Sequence, residues 1–253
     1  MDYQYDPTSI PFELFQNADD AVVELGQIEA FPDEGIEVRD ASRRLVVEAE
    51  GDSLRFLHWG RLVNARGPVD FDGEARGYGH DLEKMLILSA SDKQESQNVT
   101  GKFGLGFKSV LLACDRPRIV SGRISLEVVA GILPQSWKAS SSAREFLDRH
   151  SLERRLPGTL IELPLVPNTQ PDKILQRFSR LAGLLCVFGR AIRFISLNRA
   201  EREEFDWTPD EVVPGLECGR LAVTDKAWGL DTDALCLRST YGSMLLAVGT
   251  EGQ

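Results

Sequence analysis

The segment Glu13-Leu14-Phe15-Gln16-Asn17-Ala18-Asp19-Asp20-Ala21 limits what this chain of 253 residues can fold into more than any other. It sets a carboxylate, a carboxamide and a second carboxylate at helical spacing, which places Glu13, Asn17 and Asp20 on one face. Leu14, Ala18, Ala21, Val22 and Leu25 form an apolar stripe beside that face. A helix is therefore predicted over 11–27, docked by its stripe with its polar face turned to a cavity. A carboxylate beside a carboxamide can orient a water molecule and hold a hard cation such as Mg2+. An ordinary solvated helix face would use the same residues, so this segment alone leaves both readings open.

Downstream the sequence reads Gly101-Lys102-Phe103-Gly104-Leu105-Gly106-Phe107-Lys108-Ser109-Val110, with three glycines in six positions. Glycine lets a backbone approach a ligand closely. The apolar run that follows, Val110-Leu111-Leu112-Ala113, reads as a helix. A glycine turn feeding a helix start offers free N–H groups and a positive dipole end, which suits phosphate. The spacing is not that of the P-loop, which ends in Gly-Lys-Ser/Thr. Nor is it a dinucleotide fingerprint, since the segment before Gly101 is polar rather than a strand. A turn with no ligand would have the same composition.

Together the two motifs resemble the GHKL ATPase superfamily, which includes DNA gyrase, MutL and the ninety-kilodalton heat-shock chaperones. Gln16-Asn17-Ala18-Asp19-Asp20-Ala21 and Gly104-Leu105-Gly106-Phe107-Lys108-Ser109-Val110 look most like the chaperone branch and the ATPase domains of sacsin. A third segment, Pro157-Gly158-Thr159-Leu160-Ile161-Glu162-Leu163, is similar to the family's Gly-Thr strand. The resemblance spans about residues 10 to 198. It implies an α+β fold: a two-layer α/β sandwich of the Bergerat type, with a mixed, mostly antiparallel sheet, helices on one face and a mobile ATP lid. Residues 1–198 would be the ATP-binding domain. Residues 199–253 would be an added β-rich segment or the truncated start of a transducer-like domain.

The resemblance also implies roles. Glu13 would polarise the water that attacks the γ-phosphate, and Asn17 would coordinate Mg2+. Backbone from Gly101 through Lys102, Phe103, Gly104, Leu105 and Gly106 to Phe107 would hold the phosphates, and Asp20 would support the pocket. Lys93 and Lys102 are the cationic candidates for phosphate. His58, Gly60 and Thr159 would face the base. Here the chain departs from the family. His58 stands where an Asp usually reads the adenine amino group, and Leu62 replaces a second glycine. An Asp carboxylate only accepts, whereas a neutral His accepts or donates according to its tautomer. It could therefore bind adenine N6 or tolerate guanine O6. A strand-end histidine with a backbone partner is the plainer reading.

Composition narrows the setting. A formal net charge of −10 argues against direct nucleic-acid binding, which needs clustered Lys and Arg. Cys114, Cys186, Cys218 and Cys236 lack metal-ligand spacing and read as thiols in a reducing compartment. The first residues are polar and acidic, unlike a signal peptide, and no apolar run reaches the length of a membrane span. A cytoplasmic protein without membrane contact is expected.

Pattern predicts the remaining elements. Strands at 43–50 and 53–59 form a hairpin about Gly51-Asp52, followed by a Gly- and Asp-rich loop at 64–79. A helix starts at Asp81 and spans 82–91. Residues 91–100 form the lid, and 108–114 a helix. Strands are expected at 118–120 and 124–132, the latter central to its sheet. A helix at 140–150, a strand at 159–165, a helix at 172–187 and a strand at 191–197 follow. Beyond them 201–206 is charged, Trp207-Thr208-Pro209 breaks the pattern, and strand-like runs fall at 220–224, 234–238 and 243–248.

Three functions fit the resemblance. The first is an ATPase, slow in isolation, whose Mg2+-dependent cycle drives conformational change through ATP-dependent homodimerisation or a partner domain or protein C-terminal to this chain. The second is a nucleotide-gated binding module with little hydrolysis. The third is a histidine protein kinase. It ranks last, because no histidine here sits in a paired helix ready for phosphorylation.

Overall fold

Strands arise where buried apolar residues alternate, since successive side chains of an extended chain point to opposite faces. The computed structural model describes residues 6–28, 40–68, 72–86, 105–151, 157–213, 216–224, 232–239 and 242–248. β1 (Arg44–Glu50) and β2 (Ser53–His58) form an antiparallel hairpin closed by Gly51 at φ 57°. β3 (Arg118–Ser121), β4 (Ile124–Val129), β5 (Leu133–Ser136), β6 (Thr159–Pro164) and β7 (Phe194–Asn198) follow. β8 (Arg202–Val213), β9 (Leu216–Thr224), β10 (Thr232–Ser239) and β11 (Gly242–Val248) complete the strands. Among the described residues they make one sheet in the order β11-β10-β9-β8-β7-β1-β2-β6-β3-β4-β5. Only β1 and β7 pair in parallel.

The helices are α1 (Ile10–Ile28), α2 (Asp81–Leu86), α3 (Leu105–Lys108), α4 (Ser141–Arg149) and α5 (Pro171–Phe188). Asp6 caps the turn that leads into α1 by accepting the Thr8 N–H at 3.0 Å. Ser140 caps α4 through the Ala143 N–H. Ile10, Leu14, Ala18 and Val22 of α1 meet Ile174, Leu175, Phe178 and Cys186 of α5 over Leu45, Val47, Phe56, Ile161 and Ile195 of the sheet. This is the mixed, mostly antiparallel α+β sandwich that the resemblance implied. On the opposite face, Ala143 and Phe146 of α4 cover Val46, Leu57 and Leu160, a helix additional to the expected layer.

Some elements differ from expectation. The run at 124–132 ends at Val129, because Ala130 and Gly131 take positive φ and turn the chain back into β5. β4 is thus next to the sheet edge, not central. The expected helix at 108–114 is α3 followed by a 3-10 turn at Ser109–Leu112. The charged stretch from 201 is not a break but the long strand β8, in which Glu203, Phe205 and Trp207 are buried. Pro209 is absorbed at a register shift against β9. The lid at 91–100 lies outside the described residues, as does the end of the helix predicted over 82–91.

Candidate functional site

Two distant segments meet above the sheet. A Cβ added to Gly106 would lie 2.7 Å from Oε2 of Glu13 and 3.8 Å from both amide atoms of Asn17. The start of α3 therefore lies against the acid and amide of α1, and any side chain at Gly106 would displace the Glu13 carboxylate. Phe107, the next residue, is buried in the main core and holds α3 in place. Ser109 steadies the same turn by donating to the Gly106 carbonyl at 2.7 Å. Glu13 is half-buried and Asn17 exposed, and neither is bonded to another described residue. Both present oxygen donors, the ligand type Mg2+ prefers. Mg2+ commonly takes only one or two protein ligands, the rest being water and substrate phosphate. The donor set fits that ion.

The end of β2 is fastened to the same helix. A Cβ on Gly60 would fall 2.5 Å from the Ala21 carbonyl carbon and 2.6 Å from the Val22 nitrogen, so only glycine fits there. The Arg61 N–H donates to the Ala21 carbonyl at 2.8 Å. These contacts hold the end of β2 against α1, and His58, two residues after the α1-side Phe56, lies on the α1 face of the sheet. His58 is buried and pairs across to Thr159. The Thr159 and Ser121 hydroxyls are 2.7 Å apart, and Ser121 also accepts the Val63 N–H at 3.0 Å. His58 Nδ1 accepts the Gly60 N–H at 3.2 Å. Burial pushes the imidazole down to about 4, so it is neutral at physiological pH. The sequence-predicted residues thus form two groups bracketing α1: Glu13, Asn17, Gly106 and Phe107 in one, His58, Gly60 and Thr159 in the other. Lys93, Gly101, Lys102, Phe103 and Gly104 lie outside the described residues, and of Leu105 only the backbone is described.

No protein-family model matches the chain. It is similar to the chaperone protein HtpG of Mycobacterium ulcerans, 24% identical over 164 residues, which cover 64% of this chain and 24% of that protein. HtpG proteins of Mycobacterium avium and Mycolicibacterium paratuberculosis match at 24% over 167 residues, 64% of this chain and 25% of theirs. The likeness is to a chaperone, distant and partial. The chain spans about a quarter of the length of these curated relatives.

Three residues that organise the site escaped the sequence reading. Asp19, next to the predicted Asp20, is buried and accepts the N–H groups of Arg190, Ala191 and Ile192 at 2.8, 2.8 and 2.7 Å. It ties α1 to the turn after α5. Arg190 also bonds Asp20 at 2.7 Å, so Asp20 is held by a cation rather than left open. Desolvation raises the Asp20 carboxyl, and Arg190 opposes that shift. Arg61 is the third. Its buried guanidinium bonds Glu24 at 2.8 Å, Asp81 at 2.8 and 2.9 Å and the Ala65 carbonyl at 2.8 Å. It also lies 4.0 Å from the centre of the Tyr78 ring. Asp81 accepts the Asn64 N–H, and Asn64 caps Leu82. The Gly- and Asp-rich loop is therefore wound around one arginine. An apolar-flanked Arg three residues beyond His58 was the only signal available. Among the described residues no helix is long and apolar enough to cross a membrane.

Proposed function

We propose that this chain binds a Mg2+-bound purine nucleoside triphosphate, ATP by the resemblance, hydrolyses it slowly, and uses the change of state to gate a larger protein. What supports the reading is the apposition of Gly106 with Glu13 and Asn17. An acid and an amide without partners among the described residues meet the glycine-bearing start of a helix. Each alone is commonplace; brought together they match what phosphoryl transfer to water requires.

In this reading Glu13 accepts a proton from water as the water oxygen bonds to the γ-phosphorus and the bond to the bridging oxygen breaks. Asn17 is the protein ligand of Mg2+. The ion, when bound, neutralises charge on the phosphate oxygens. The N–H groups from Gly101 to Phe107 hold the β- and γ-phosphates. His58, Gly60 and Thr159 face the base, and the Asp20–Arg190 pair holds the helix that separates base from phosphate. Strands β8 to β11 continue the sheet and supply a route toward a neighbouring domain or a second copy of the chain. The setting proposed is cytoplasmic.

The test is binding and turnover measured on the same samples. Glu13→Ala should bind Mg-nucleotide as the parent does and lose phosphate release by about 10²-fold or more. Asn17→Ala should instead weaken binding of the Mg-nucleotide. Unchanged phosphate release from Glu13→Ala would remove that residue from its role.

A further inference from the structure

The environment of His58 decides which hydrogen-bonding character it offers a base. A backbone N–H can only donate, so the Gly60 N–H requires a lone pair on Nδ1. In the neutral ring the proton then sits on Nε2. Nε2 therefore donates, and it has no partner among the described residues. The tautomer cannot switch without breaking the Gly60 contact, which Gly60 cannot relax because it abuts the backbone of α1. The imidazole stays neutral because it is buried, with its proton affinity lowered to about 4. The adjacent Ser121–Thr159 pair is different. Either hydroxyl can be the donor, so that pair adapts to whatever faces it. His58 is the fixed group, and it is a donor.

From this geometry we infer that the site prefers a 6-oxo purine triphosphate, of the inosine or guanosine class, over ATP. The inference rests on the proposed reading that His58 faces the base. An oxygen at C6 accepts from Nε2–H. An amino group there would set two donors against each other. A site built to hydrogen-bond one group discriminates strongly against a ligand lacking it.

Inosine triphosphate isolates the effect, since it carries the 6-oxo group without the 2-amino group of guanine. The experiment is calorimetric titration of the chain with Mg-ITP, Mg-GTP and Mg-ATP at pH 7.5. The parent should bind ITP and GTP about tenfold or more tighter than ATP. His58→Asp, which only accepts, should reverse the order. His58→Asn, which presents both a donor and an acceptor, should bring the affinities together and guards against a misfolded Asp variant. ATP binding as tightly as ITP in the parent overturns the base inference and leaves nucleotide binding standing. An order that neither variant changes also overturns it. If none of the three nucleotides binds, the nucleotide reading itself fails, and this inference with it.

Discussion

The charge cluster under α4 and the acid and amide of α1 are polar groups in opposite situations. Beneath α4, Arg55 bonds Glu162 at 3.0 Å, Glu50 at 2.5 Å and Glu48 at 3.3 Å, and also reaches Ser142. Arg118 supplies a second cation to Glu162 at 2.7 Å, and Arg149 one to Glu48 at 3.1 Å. The side chains of Arg55, Glu48 and Glu162 are only 5, 9 and 3% exposed, and the ring of Phe146 covers the guanidinium. Over the other face Glu13 and Asn17 stand without partners among the described residues. Charges that serve the fold are satisfied inside it, because burial leaves them no other source of compensation. Beside Glu13 and Asn17 on the same helix, Asp19 is buried and fully bonded, so the contrast holds within α1 as well.

The largest effect should come from breaking the satisfied side. Arg55→Met leaves Glu48 and Glu162 buried with fewer partners and should cost about 3–5 kcal/mol in denaturant unfolding. A loss below about 1 kcal/mol would show the network to be dispensable and blur the contrast.

The next effect belongs to His58. Its folded value of about 4 lies below the ordinary value near 6.5, so the unfolded chain binds the extra proton first. The contribution of His58 is therefore complete above pH 6.5, is lost as pH falls from 6.5 to about 4, and changes no further below that. The loss should reach about 3 kcal/mol across that window. Unfolding followed at several pH values should show a shallower slope for His58→Asn than for the parent. Parallel slopes would contradict the burial of a neutral ring.

Gly106→Ala should have the smallest energetic effect and the most specific one. The new methyl group meets a flexible carboxylate, not backbone, so stability should move by less than about 1 kcal/mol. Displacing Glu13 should still slow phosphate release by about tenfold or more while nucleotide binding persists. Equal loss of binding and turnover would place Gly106 elsewhere in the mechanism.

What could be read in the sequence was local in origin. α1, the β1–β2 hairpin, α5 and the Gly-Thr strand each carry their own period, cap or turn, and each lies close to where pattern set it. The same local signals brought out Glu13, Asn17 and Gly106, and the resemblance brought out Gly60. Residues whose function depends on distant contacts were invisible. Asp19 looks like one more acid on an acidic helix, and only the turn at Arg190 to Ile192 gives it a purpose. Arg61 reads as a surface cation until Glu24 and Asp81 close on it. β8 was missed because one of its inward residues is Glu203, whose partners Ser179 and Arg199 sit on other segments. A charge in an inward position hides a period-2 strand. For His58 the plain reading holds, since Nδ1 has its backbone partner; Nε2 has none among the described residues.

The central claim is that the acid and amide of α1 share one triphosphate with the start of α3. A crystal grown with Mg2+ and a non-hydrolysable purine triphosphate tests it most directly. The account expects the ion about 2.0–2.1 Å from the Asn17 side-chain oxygen, with the γ-phosphate between Glu13 and the backbone of Gly106. A triphosphate bound elsewhere, with Glu13 and Asn17 facing only solvent, would contradict it.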